Sequence, residues 1–331
     1  MVMDTGDDWQ KMMENLRITT LDTSATECYR PAGQEAFDFW FARADTTYYA
    51  FYLQSPIGAS DKSLALQIGS ASSQDLRHWT DHGAVLRANP AGQWNDRCLL
   101  TGSTWKHGSR WCMVYTALTH NRPQEIGLAE SDDLRHWKRV TTGPVVFQYR
   151  PFVVPSAAYW RTRGFTTGQT LTYTVLADPY VLPDPIDGWY YMVANCILDG
   201  YPEDRRGCLG LLRSQDGLIW EDQGIIAAPG DLDRLETPQI WRHGDRWYLY
   251  FGAAREQPLY RANFICTSAT LRGPFEPGPC AELRLPGGTW FYIAKVLADP
   301  SDRDVLLACL GKGLSRPYAV TYEADGSLTL V

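Results

Sequence analysis

Close cysteine spacing is missing from this 331-residue chain: Cys28, Cys98, Cys112, Cys196, Cys208, Cys266, Cys280 and Cys309 lie scattered, with no Cys-x-x-Cys pair and no Cys/His cluster. That excludes the ligand spacing of a zinc site, and it reads as reduced thiols of a cytoplasmic protein rather than a disulfide framework. Basic charge is also short. The chain has 31 Lys and Arg against 38 Asp and Glu, a net charge of −7, without the clustered cations that a nucleic acid or an anionic membrane surface requires of its partner. No apolar run reaches the roughly 18 residues of a membrane span. Asp4, Asp7, Asp8 and Glu14 interrupt the N-terminus where a secretion signal is apolar. Neither a nucleotide-binding glycine loop nor a Ser/His/Asp arrangement occurs, so no cofactor and no metal are expected.

What the chain has in excess is aromatic: 13 Trp, 18 Tyr and 11 Phe, beside 28 Gly and 20 Pro. Such a mixture suits short strands joined by turns, and a repeat organises it. Ser73-Gln74-Asp75-Leu76-Arg77-His78-Trp79 returns as Ser131 to Trp137 and as Ser214 to Trp220; a degraded copy, Ser268 to Phe275, ends in Phe. The aromatic positions are 58, 83 and 55 residues apart, a period of 55 to 58 with one insertion of about 25. Before each copy stand an acidic residue, an apolar strand, a turn and a Tyr-rich strand such as Trp247-Tyr248-Leu249-Tyr250-Phe251; His243-Gly244-Asp245 and Ile186-Asp187-Gly188 are hairpin turns. A fifth unit, Phe291 to Leu310, lacks the Trp motif. Five units of about four strands predict an all-β, five-bladed β-propeller, a single domain over residues 36–331. Trp79, Trp137 and Trp220 are then packing residues between blades, and the Arg-His pairs beside the first two are traces of the repeat. Residues 1–35 form an N-terminal segment in which Ile18 to Leu21 is a candidate strand to close the ring. The insertion, about 147–175, holds Arg150, Tyr159, Trp160, Arg161 and Arg163 and is expected to overhang one mouth.

The heads of successive units carry Asp38, Asp96, Asp178 and Glu236. Carboxylates among apolar neighbours are costly to desolvate unless paired or functional. Converging on one axis, they concentrate negative potential and raise one another's pKa, the arrangement acid/base chemistry requires. Such a mouth favours a neutral or cationic substrate over a phosphorylated one.

The order of motifs resembles the five-bladed propeller furanosidases, glycoside hydrolase families 32 and 68 and the related family 43, over about residues 36 to 312. The matching segments are Phe37-Asp38-Phe39-Trp40 with Tyr49 to Gln54, Trp94-Asn95-Asp96 with Thr101-Gly102-Ser103 and Tyr115-Thr116-Ala117, Ala177-Asp178-Pro179, Glu236-Thr237-Pro238, and Phe291 to Lys295 with Asp299-Pro300. The resemblance implies Asp38 as nucleophile or general base, Glu236 as acid, and Asp178 as the carboxylate that holds sugar hydroxyls and tunes Glu236. It also implies substrate contacts at Gln54 and Ser103, with Asp96, Tyr292 and lastly Lys295 as further candidates; Trp40 and Trp94, beside the aligned acids, are placed either to stack on a sugar face or to pack in the core. The implied activity is cleavage or transfer of a small furanoside, fructofuranosyl or arabinofuranosyl in type, with retention favoured over inversion because blades two and five look more like family 32 than family 43. The alternatives are a scaffold retasked to acid/base chemistry on another metabolite, and a sugar-binding propeller without catalysis. Two departures stand out. Phe39 follows Asp38 where family 32 has Pro, and Ala177 replaces the Arg that holds fructosyl hydroxyls in families 32 and 68, leaving Arg97, Arg150, Arg161 or Arg163 to supply the guanidinium. No residues remain after the fifth unit for the β-sandwich of family 32.

Overall fold

A computed structural model describes residues 27–59, 66–120, 124–140, 142–255, 260–288 and 291–331. The segment Ile18 to Leu21 lies outside them. The repeat unit folds as an antiparallel four-stranded blade, and five blades form the ring. Blade one is Gln34–Ala44, Thr47–Pro56, Gln67–Ser73 and Thr80–Leu86; blade two is Cys98–His107, Arg110–Leu118, Glu125–Ser131 and Lys138–Arg139. Blade three is Tyr173–Val181, Tyr190–Leu198, Gly207–Ser214 and Ile219–Ala227; blade four is Arg234–His243, Arg246–Arg255, Tyr260–Ser268 and Glu276–Glu282. Blade five is built on Ala294–Ala298, Asp304–Leu310, Tyr318–Tyr322 and Leu328–Leu330. The strand Gly313–Ser315 extends blade five and pairs with Glu27–Tyr29 from the other end of the chain.

The repeated motif is a turn lock between the third and fourth strands. In its first copy the Leu76 amide donates to Ser73 Oγ (2.9 Å), and the Arg77 and His78 amides donate to Asp75 Oδ1 (2.9 and 2.8 Å). The second and third copies repeat the pattern from Ser131 and Asp133 and from Ser214 and Asp216. The fourth motif residue has positive φ in all three: Leu76 at 61°, Leu134 at 64° and Gly217 at 75°. Glycine in the third copy therefore marks a backbone requirement that the two leucines meet at a steric cost.

Each motif aromatic packs against the preceding blade. Trp137 meets Phe51 of blade one edge-on at 5.6 Å, and Trp220 meets Trp105 of blade two at 6.4 Å. Trp79 lies against Tyr29 of the closing strand at 6.2 Å, and Phe275 joins the core between blades three and four. The apolar core accordingly divides into clusters lying between successive blades. The described cysteines Cys98, Cys112, Cys196, Cys208, Cys266 and Cys309 are all buried within this core.

The insertion does not overhang the acid pocket. Val146–Gln148 adds a parallel strand to the outer edge of blade three, and Phe152–Val153 pairs with Thr170–Leu171. A short helix, Ala158–Thr162, follows, with Trp160 and Phe165 buried in the core between blades two and three. Tyr159 reaches the connection to blade four, where its hydroxyl accepts from the Ala228 amide at 2.9 Å. The segment's aromatics thus go into packing, which draws it onto the flank of the ring.

Candidate active site

The inner strands of blades one to four share an irregularity. Their pairing with the second strands shifts between Phe37 and Trp40, between Leu99 and Gly102, between Ala177 and Tyr180, and between Glu236 and Gln239. These are β-bulges, two residues opposing one, which re-aim side chains away from the regular alternation. The bulge residues Asp38 and Asp178 both sit at φ 53° and Thr237 at φ 47°. Left-handed backbone costs roughly 1–2 kcal/mol at a residue with a Cβ, and a β-branched residue such as Thr237 is a marked outlier there. Strain of this kind persists where surrounding contacts over-determine the backbone, commonly at active sites.

Those contacts bind the blades to one another. The Asp178 amide donates to Thr116 Oγ1 (2.9 Å), and Asp178 Oδ2 accepts from the Thr237 amide (3.0 Å), the residue directly after Glu236. Asp38 Oδ2 accepts from Thr101 Oγ1 at 2.5 Å. Asp38 Oδ1 is buried without a hydrogen-bond partner among the described residues. Asp38, Asp178 and Glu236 line one cavity of about 40 Å³ with Phe37, Leu53, Thr101, Asn195, Arg234 and Tyr292.

Burial, then the charge of Asp178, raises the Asp38 carboxyl to about 7, opposed by the Thr101 hydroxyl and the Lys295 ammonium. Burial and Glu236 raise Asp178 to about 6, against the Thr237 amide, Lys295 and Arg234. Asp38 and Asp178 therefore hold on to protons toward neutral pH, each raised by burial and by a neighbouring carboxylate. Burial in turn lowers the Lys295 ammonium to about 8, with Asp178 and Asp38 resisting. The motifs pointed to Glu236 as the acid tuned by its neighbours; burial also acts strongly on the two aspartates.

Of the expected substrate contacts, Tyr292 lines this cavity and the others do not. Trp40 is 1% exposed, stacks on Phe51 at 5.9 Å and donates from Nε1 to Thr104 Oγ1 (3.1 Å): it is core between blades one and two. Ser103 Oγ accepts from the Val181 amide (3.0 Å), clipping blade two to blade three, because the bulge turns its neighbour Thr101 to the acids instead. Gln54 lies over Gly69, where a Cβ would come within 2.5 Å of its Oε1, so its side chain packs inside blade one. Trp94 Nε1 donates to Glu125 Oε2 (2.9 Å), and its ring packs in the core near Tyr115. Asp96 accepts from the Gly92 amide (2.7 Å) and the His120 amide (3.1 Å), tying a loop. The expected four converging carboxylates are thus three.

Sequence reasoning missed Arg234, Thr101 and Asn195. Arg234 stands two residues before Glu236, lies 3.6 Å from Asp233 and is close enough to Asp178 to hold its carboxyl down. It brings to the pocket the guanidinium that Ala177 lacks; Arg97, Arg150, Arg161 and Arg163 do not line the cavity. Asn195 is 2% exposed and is the lone amide in the apolar strand Tyr190–Leu198, a signal visible in the sequence. At the other end of the channel a wider cavity, about 750 Å³, is bounded by Trp105, Trp111, Tyr180, Trp241 and Trp247, and Lys295 contributes to its lining.

The family whose sequence profile matches is the glycosyl hydrolases family 32 N-terminal domain, over residues 40–160. That match begins after Asp38 and ends before Asp178 and Glu236, so the placement of the acids rests on the folded structure. A curated relative, the sucrose-6-phosphate hydrolase of Escherichia coli, is 28% identical over 172 residues, 50% of this chain and 31% of that protein. The chain thus matches about a third of the length of that relative. Among solved structures, Bacillus subtilis levansucrase superposes with a TM-score of 0.67 at 14% identity, covering 98% of this chain and 93% of that one. A family 43 β-xylosidase/α-arabinofuranosidase from a compost microbial metagenome gives a TM-score of 0.65 at 15% identity, covering 93% and 97%. The chain has the fold of the propeller glycoside hydrolases that its motifs resemble.

Proposed function

We propose that the protein is a retaining glycoside hydrolase or transglycosidase acting on a small furanoside, fructofuranosyl or arabinofuranosyl in type. The observation that carries this reading is the set Asp38, Asp178 and Glu236, delivered by three blades to one cavity, with Asp178 hydrogen-bonded to the residue after Glu236. The family 32 match and the sucrose-6-phosphate hydrolase relative support it.

In this mechanism the Asp38 carboxylate attacks the anomeric carbon through Oδ1, the oxygen without a hydrogen-bond partner among the described residues. The glycosidic C–O bond breaks as Glu236 gives its proton to the leaving oxygen. Water then attacks the glycosyl ester, Glu236 recovers a proton from it, and Asp38 departs as carboxylate. Asp178 and Arg234 hold the sugar hydroxyls. The resident cations, Lys295 and Arg234, offset two of the three acidic charges, so the site favours an uncharged sugar.

The alternative, acid/base chemistry on another metabolite, is favoured by Ala177, which stands where families 32 and 68 have the Arg that holds fructosyl hydroxyls. A panel of furanosides and non-sugar metabolites, with products identified by mass spectrometry and anomeric configuration by NMR, separates the readings. We expect release of a furanose, with turnover reduced at least about a hundredfold in Glu236→Gln and Asp38→Asn. Wild-type turnover in either variant refutes the assignment.

A further inference from the structure

Lys295 is 4% exposed, an unusual position for an ammonium group. Its Nζ donates to the Thr237 carbonyl at 2.6 Å and lies 3.3 Å from the Pro238 carbonyl. The rings of Tyr250 and Tyr180 stand 5.8 and 6.0 Å from it. Thr237 is the residue of blade four with φ 47°, and its amide is taken by Asp178. The peptides on both sides of this strained residue, the first of them joining it to Glu236, are therefore gripped from two blades: the amide by Asp178 of blade three, the carbonyl by Lys295 of blade five.

A neighbouring contact shows that blade five is registered against blade four at this point. The Gln239 amide group donates to the Val296 carbonyl (2.6 Å) and accepts from the Val296 amide (2.8 Å). That double clip already joins the blades without charge. A buried ammonium is not required for adhesion, and its placement calls for another account.

We infer that Lys295 is a positioning residue: its grip on the Thr237 carbonyl holds the strained backbone that aims Glu236, and it sets a positive charge against Asp38 and Asp178. This rests on the glycosidase reading above and deepens it. The groups bearing on this balance are Asp38 of blade one, Asp178 and Tyr180 of blade three, Arg234, Glu236 and Tyr250 of blade four, with the Thr101 hydroxyl of blade two on Asp38. Lys295 opposes the upward shift of both aspartates. Its removal therefore moves their ionisation to higher pH.

The test compares Lys295→Met and Lys295→Arg with the wild type, using kcat, KM and the pH profile of kcat/KM on the substrate that the panel identifies. Lys295→Met is expected to lower kcat about 10- to 100-fold, with KM changed less than about threefold, and to displace the acidic limb upward by about one pH unit. Lys295→Arg, which keeps charge and donors, recovers most of the rate. An unchanged acidic limb in folded Lys295→Met, or Lys295→Arg as impaired as Lys295→Met, overturns the inference. Should Lys295→Met not fold, Lys295→Gln, an uncharged donor, is expected to show the same upward displacement, and no displacement overturns it. Carboxyl NMR titration of Asp38 and Asp178 reads the electrostatic role without turnover. A wild type inactive on every glycoside, with the Asp38 midpoint still raised in the variant, rejects the glycosidase reading and keeps the lysine's role; unmoved midpoints reject the role itself.

Discussion

Replacing Thr101 with Val removes one hydroxyl, the donor that reaches Asp38 Oδ2 at 2.5 Å, and leaves a side chain of nearly the same shape. Burial and neighbouring acids already hold the Asp38 carboxyl near 7, and the Thr101 hydrogen bond opposes them. A hydrogen bond to a charged group contributes roughly 1.5–3 kcal/mol, and one pKa unit corresponds to about 1.36 kcal/mol. Losing it therefore lifts Asp38 by about one to two units, to roughly 8–9. Asp38 acts ionised, so the acidic limb of kcat/KM, which reports the free enzyme, moves to higher pH by that amount. At pH 7 the ionised fraction falls from about one half to between about one tenth and one hundredth, a loss of about 5- to 50-fold that fades toward pH 9. The assay is the rate profile from pH 5 to 9.5 on the substrate found by the panel. A rate reduced by one factor at every pH, with the limb unmoved, refutes the reasoning: Thr101 would then be packing and not tuning the acid.

Arg234→Ala should raise KM and lower kcat/KM about 10- to 100-fold, the range of a lost charged hydrogen bond, with partial recovery in Arg234→Lys; steady-state kinetics with KM unchanged would remove Arg234 from the sugar site. Asp38→Asn should stabilise the fold in a pH-dependent way. The folded-state pKa of Asp38 is raised from 3.8 to about 7, so its contribution to stability is fully present below about pH 4 and lost as pH climbs through 7. The shift is worth on the order of 4 kcal/mol, and Asn relieves it, so Tm should rise several degrees at pH 8 and little at pH 4; equal gains at both would contradict the burial argument.

The ring was legible because its determinants repeat. Ser73, Asp75 and Trp79 recur with their spacing, and the structure shows why: serine and aspartate cap the same turn, and the aromatic fills the same gap between blades. Asp38, Asp178 and Glu236 were readable for a related reason, each standing at the head of an inner strand among apolar neighbours. Side-chain direction was not readable. A bulge shifts the period-2 alternation by one residue, and nothing in Thr101-Gly102-Ser103 says which hydroxyl turns to the acids. Arg234 escaped because the candidate guanidiniums, Arg97, Arg150, Arg161 and Arg163, come from blade two and the insertion, whereas the neighbouring blade four supplies it. The insertion was expected over one mouth because its length and its aromatics suggested a functional loop, whereas burial claims Tyr159 and Trp160 for the flank.

The strand Glu27–Tyr29 pairs with Gly313–Ser315, and Tyr29 opposes Leu314 across 285 residues. The entropy of closing a flexible loop grows only logarithmically with its length. Closing this one costs about 1.4 kcal/mol more than closing a loop the length of the 58-residue repeat. A single aromatic anchor is enough to offset that, and the latch has one: Tyr29 sits 5.9 Å from Tyr52 and 6.2 Å from Trp79, with its hydroxyl bonded to Asp81. Shutting the circle is thus a small step in free energy but, because it joins distant parts of the chain, a late one in time.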